Sequence, residues 1–108
     1  MLESKYDQEA NLLTFIFAGH MDSARCTPLA PFIENELKKR INPSSSADKL
    51  LRIAFDLKDV DFISSAFIRI CIVTAAALKS GNLILQNASP LIKKTLKISG
   101  LENLMTIL

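Results

Sequence analysis

From residue 51 to residue 79 the chain reads LRIAFDLKDVDFISSAFIRICIVTAAALK, and few folds accommodate that order of patterns. Residues 50–57 are apolar almost without a break, the pattern of a strand buried on both faces of a sheet. Asp56, Asp59 and Asp61 then read as a polar turn, and the segment from about Ser65 to Lys79 is apolar nearly all round. A helix of that kind is enclosed in a core or covered by a partner. A buried strand leading straight into such a helix implies a sheet carrying at least one helical layer. At the junction stand Ser64 and Ser65. A hydroxyl at a helix start lies beside unpaired backbone N–H groups and the positive end of the helix dipole. The two serines therefore carry two readings, a helix cap and an acceptor for phosphate.

The flanking segments extend the same alternation. Residues 2–6 and 12–18 read as strands joined by a hairpin turn at 7–11, with Gly19 as the stop. A polar segment, His20 to Thr27, leads to a helix with Thr27 as cap and Pro28 in its first turn. Leu29, Phe32, Ile33, Leu37 and Ile41 give that helix an apolar face to about Arg40, with Glu34, Glu36, Lys38 and Lys39 on the other. Residues 42–48, NPSSSAD, form a loop by composition. Gly81 caps the long apolar helix, and residues 82–86 form a short strand. Ser89 and Pro90 start a last helix, with Leu91, Ile92, Leu96 and Ile98 on its apolar side and Gly100 as its stop. Residues 104–108 make a final short strand or helix. The whole reads as one α/β domain, residues 1–108, connected by right-handed crossovers.

Composition removes several classes of function. A formal net charge of +2, with one Tyr and no Trp, speaks against nucleic acid as a partner. Residues 62–78 are interrupted by Ser64, Ser65, Arg69 and Thr74 and fall short of the roughly 20 apolar residues a bilayer requires, so no membrane partner is expected. Cys26, in a polar turn, and Cys71, in the apolar helix, lie far apart in unlike contexts, and neither sits in a CxxC or near a histidine, so no metal or redox motif is expected. The start of the chain lacks a basic-then-apolar leader, and a cytoplasm with reduced thiols is the expected setting.

The chemistry-bearing residues are few. Asp56, Asp59 and Asp61 near a strand end suggest a magnesium and phosphate pocket, weighed against a solvated turn. His20, the single histidine, acts as a base on Ser64 or Ser65 only if the fold brings it within hydrogen-bond reach. Neither serine lies in a G-x-S-x-G elbow, and three glycines form no phosphate-binding loop. No catalytic residue, metal ligand or cofactor is assigned, and the expected protein is not an enzyme.

The wording of these segments resembles the STAS domain (sulfate transporter and anti-sigma factor antagonist) over nearly the whole chain. Ala18-Gly19-His20-Met21-Asp22 is similar to the family's Gly-x-x-Asp after the second strand. Residues 55–63, FDLKDVDFI, are similar to its third strand and turn, and Ser64-Ser65-Ala66-Phe67 falls where stand-alone antagonists carry Asp-Ser-Ser-Gly or Asp-Ser-x-Gly. Gly81, residues 82–86 and Leu96-Lys97-Ile98-Ser99-Gly100-Leu101 match later landmarks in order and spacing.

The resemblance implies an α/β fold, a mixed sheet of four to five strands with three to four helices packed largely on one face. It implies a non-enzymatic module without cofactor that binds an anti-sigma factor or serine-kinase-like partner, which phosphorylation of Ser65 ejects. Ser64 stands in the place of the family's acid and helps to cap the helix; it is the second candidate acceptor. Phe67 stands in the place of a glycine. Asp22, Ser64, Ser65, Ala66, Phe67 and Arg69 are the candidate contact residues. A STAS scaffold without phosphorylation, a homodimer, and a sensor of an apolar or nucleotide-like molecule near the same strand ends are the alternatives.

Overall fold

The computed structural model describes residues 2–40, 51–78 and 82–108. The expected loop at 42–48 and the helix cap at Gly81 lie outside these. The chain begins with a hairpin of β1 (Leu2–Asp7) and β2 (Leu12–Met21). Asp7 holds the turn, its Oδ1 accepting the backbone N–H of Glu9 at 3.1 Å and of Ala10 at 3.3 Å. There follow α1 (Ser23–Arg40), β3 (Arg52–Ile63), α2 (Ser65–Ala77), β4 (Leu83–Gln86) and α3 (Pro90–Ile98). A 3-10 turn at Leu101–Asn103 leads to β5 (Thr106–Ile107).

The sheet has five strands in the order β1-β2-β3-β4-β5. β1 pairs antiparallel with β2, and every other pairing is parallel. Each crossover steps to the next strand in the same direction, so right-handed connections put the three helices on one face. Burial follows that geometry. Leu13, Phe15, Phe17, Ile53, Phe55, Leu57, Leu83 and Leu85 are each no more than 1 % exposed. The alternate residues Leu12, Thr14, Ile16, Ile84 and Gln86 are only half-buried. Four Phe rings at the centre, Phe15, Phe17, Phe55 and Phe67, meet edge-on or tilted, the geometry aromatic quadrupoles favour.

The structure corrects several sequence expectations. β3 is covered on one face, not two: Arg52 is exposed and Asp56 half-buried, while Ala54 is small enough to be hidden by its sheet neighbours. Gly19 does not end β2, nor do the three aspartates form a turn after β3; both strands continue, to Met21 and Ile63. α1 begins at Ser23, so Pro28 and Pro31 lie inside it. Its cap is Asp22, whose Oδ1 accepts the Arg25 N–H at 2.9 Å. Thr27 instead donates its hydroxyl to the Ser23 carbonyl at 2.8 Å. Proline is common in a first turn, which draws a sequence reading toward Pro28, but the aspartate hydrogen bond decides the start here.

The last helix keeps its expected cap and stop, with Ser89 Oγ accepting the Ile92 N–H at 3.3 Å and Gly100 left-handed at φ 79°. Its apolar side is narrower than expected. Ile92 and Leu96, one turn apart, enter the core, whereas Leu91 and Ile98 are 71 % and 75 % exposed. The underlying sheet surface near its edge accommodates a single stripe of side chains.

Candidate functional site

β2 and β3 outrun their neighbours. Among the described residues β1 covers β2 as far as Phe17, and β4 covers β3 as far as Asp56. Beyond them the two strands continue as a ribbon that ends with Met21 opposite Ile63. The register shifts between Ile16 and Ala18 and again between Gly19 and His20. Gly19 takes φ 90°, a conformation a side chain strongly disfavours. A Cβ there would fall 2.5 Å from Nη1 of Arg25, whose guanidinium donates to the Ala18 carbonyl at 3.2 Å.

The ribbon delivers two helix starts to one place. Ser64 donates its backbone N–H to the Met21 carbonyl at 3.0 Å, joining the end of β3 to the end of β2. Asp22 caps α1 one residue beyond, and Ser64 caps α2, its Oγ accepting the Phe67 N–H at 3.4 Å. Ser64 also lies beside Cys26 of α1. The Ser64 hydroxyl is thus half-buried and engaged as the cap of α2. Ser65, the first residue of α2, is exposed. Ala66 is half-buried and Arg69 exposed on the same helix.

Phe67 departs from the expected set of contact residues. It is 0 % exposed, with its ring 5.2 Å from that of Phe17 and 6.3 Å from that of Phe55. The first turn of α2 points this side chain down onto the sheet, so it supports the site from below and offers no contact surface.

The other chemistry-bearing residues do not converge on the serines. His20 Nδ1 lies 3.3 Å from Oδ1 of Asp61, and its ring stacks on Phe62 with centroids 4.3 Å apart. It therefore sits across the exposed ribbon and has no contact with Ser64 or Ser65. Asp56 accepts the Lys58 N–H at 3.0 Å and the Asn87 side-chain amide at 3.2 Å, tying β3 to the turn after β4. Among the described residues no three His, Cys, Asp or Glu side chains are grouped to hold a metal ion. No helix among them is long and apolar enough to cross a membrane.

Far apart in the chain, the two cysteines are both buried in helices over one core. Burial pushes the Cys26 thiol above its ordinary 9.0, against the lowering effect of the neighbouring Ser64 side chain. Burial raises Cys71 much further, with the neighbouring Cys26 adding to it. Thiolate is the reactive form, so both side chains are expected to resist iodoacetamide at pH 8 in the native state and to react once urea unfolds the chain. Mass spectrometry of the alkylated chain checks this; native labelling of Cys71 would show that it is not enclosed. The same raised values imply that these thiols' contribution to stability is complete below about pH 9. It declines at higher pH, where the unfolded chain gives up protons that the native state retains.

The cap pair Asp22 and Ser64 and the exposed Ser65 were among the expected residues. The Cys26 contact and the supporting role of Gly19 were not. The Gly-x-x-Asp spacing was the available signal for the latter, since it separates a kinked strand end from the cap it delivers.

The model of the STAS domain family matches residues 12–108, from β2 to the end of the chain. No curated protein sequence matches the chain. In shape it is similar to a STAS domain protein from Planctomyces limnophilus, at 14 % identity and a TM-score of 0.76, over 99 % of this chain and 87 % of that one. It is also similar to the anti-sigma factor antagonist SpoIIAA in its unphosphorylated form, at 13 % identity and a TM-score of 0.71, over 100 % of this chain and 87 % of that one. For the Bacillus cell fate determinant SpoIIAA in its phosphorylated form the identity is 16 % and the TM-score 0.68, over 100 % of this chain and 91 % of that one. With the sheet order, the helical face and the family match in agreement, the chain belongs to the STAS domain family.

Proposed function

We propose that this STAS domain is a non-enzymatic regulatory module of the anti-sigma factor antagonist kind, acting in the cytoplasm. It binds an anti-sigma factor or serine-kinase-like partner through the start of α2, and phosphorylation of Ser65 releases that partner. The contact surface consists of Ser65, Ala66 and Arg69, with Asp22 beside them at the start of α1. The observation that carries this reading is the division of labour between the two serines. Ser64 spends its hydroxyl as the cap of α2, whereas Ser65 is exposed at the first helical position.

Phosphate at that position suits the domain itself, because the N–H groups of the first turn have no helical partner and the dipole favours an anion. In a close-fitting interface the same group adds about −1.5 to −2 charges and a desolvation cost. A modification that the domain tolerates and the complex does not is a switch.

The test is an affinity capture from the native cytoplasm with wild-type, Ser65→Ala and Ser65→Glu chains as bait, the bound proteins identified by mass spectrometry. A serine-kinase-type regulator is expected on the wild type and on Ser65→Ala, and not on Ser65→Glu. Retention by Ser65→Glu would overturn the switch.

A further inference from the structure

α1 and α2 follow two parallel strands and start side by side, yet they do not close against each other along their length. Between them lies a groove of about 570 Å³, from Cys26 and Ala66 at the helix starts to Leu37 and Ala77 at the far end. That volume lies within the range of small-molecule sites. Buried Ile33, Leu37 and Ile70 line it, together with Val73, whose side chain stays 55 % exposed. Small residues at Ala30, Ala66 and Ala77 keep it open where larger side chains would fill it.

The charged groups around the groove are unequal. Lys38 is within 3.8 Å of Glu34 on its own helix and is locally compensated. Arg69 lines the groove and forms no ion pair or hydrogen bond with any described residue. A long apolar trough with one uncompensated guanidinium is complementary to a flexible apolar chain that ends in a carboxylate. The planar guanidinium meets a carboxylate with two parallel hydrogen bonds.

We propose that the α1/α2 groove binds a single-chain amphiphile of the fatty-acid class, with its chain lying between the helices and its carboxylate on Arg69. This goes beyond the Ser65 reading and does not rest on it.

Isothermal titration calorimetry of the full chain with octanoate, decanoate and dodecanoate tests the proposal. Saturable one-to-one binding is expected, tightening about fourfold per added methylene until the groove is full. Arg69→Gln is expected to weaken dodecanoate binding about tenfold and to bring it level with dodecan-1-ol. Ala30→Trp and, at the other end, Ala77→Trp are expected to abolish binding; both positions are exposed on helices, and circular dichroism verifies that each variant folds. Absence of saturable binding to the wild type overturns the proposal. So does affinity independent of chain length, full binding by both folded tryptophan variants, or equal affinity of the wild type for dodecanoate and dodecan-1-ol. No partner protein enters the titration, so its failure would leave the Ser65 switch standing.

Discussion

Replacing Phe67 with alanine is expected to lower folding stability by about 3–5 kcal/mol, the usual range for deleting a buried phenylalanine. The ring is 0 % exposed and edge-on to Phe17, so its removal leaves a cavity lined by Phe17 and Phe55 that the sheet cannot collapse to fill. A domain of this size holds about 5–15 kcal/mol in all, so the variant retains only part of its stability. At roughly 4–8 °C per kcal/mol, the melting temperature falls by roughly 12–40 °C. Urea or thermal unfolding followed by circular dichroism measures this directly. A loss below about 1 kcal/mol would mean that Phe67 is not the core residue described here. The result also bears on function. Phe67 occupies the place where stand-alone relatives are expected to carry glycine, and its burial confines the effect of that exchange to support of the α2 start.

Gly19→Val is expected to cost about 3 kcal/mol. Two effects combine. Valine at φ 90° strains the backbone, because branching at Cβ is least tolerated in that region. The new Cβ also displaces the Arg25 guanidinium, 2.5 Å from its position, and so removes the hydrogen bond to the Ala18 carbonyl. A double-mutant cycle with Arg25→Ala separates the two. If the backbone dominates, Arg25→Ala recovers less than half of the loss; full recovery would assign the cost to the arginine contact instead. Either measurement uses the denaturant midpoint. Because Gly19 sits at the register shift that brings Met21 and Asp22 to Ser64, partner capture is expected to fall with stability in this variant.

Local patterns carried much of this fold. The hairpin at residues 7–11, the caps Ser64 and Ser89 and the left-handed Gly100 are each set by contacts within a few residues. Such contacts act on neighbours in the chain, which is why they are legible there. The failures share a cause. The strand extensions 18–21 and 58–63 look polar because His20, Lys58, Asp59 and Asp61 face solvent, although Met21, Val60 and Ile63 are buried. α1 starts early because Asp22 arrives at a cap position that only the kink at Gly19 provides. Leu91 and Ile98 look like core because periodicity records a helix face and not the width of the surface beneath it.

Strand–helix alternation, two serines at a helix start and a resemblance strong enough to name the architecture are all legible in the chain. Only the three-dimensional packing puts Phe67 in the core, sets Cys26 beside Ser64 and leaves a groove between α1 and α2. The physical reason is parallel pairing of β2 with β3. A parallel crossover joins residues distant in the chain, such as His20 and Asp61, which lie 41 positions apart. What it brings together depends on register and on where each strand ends, and the three-dimensional pairing sets both.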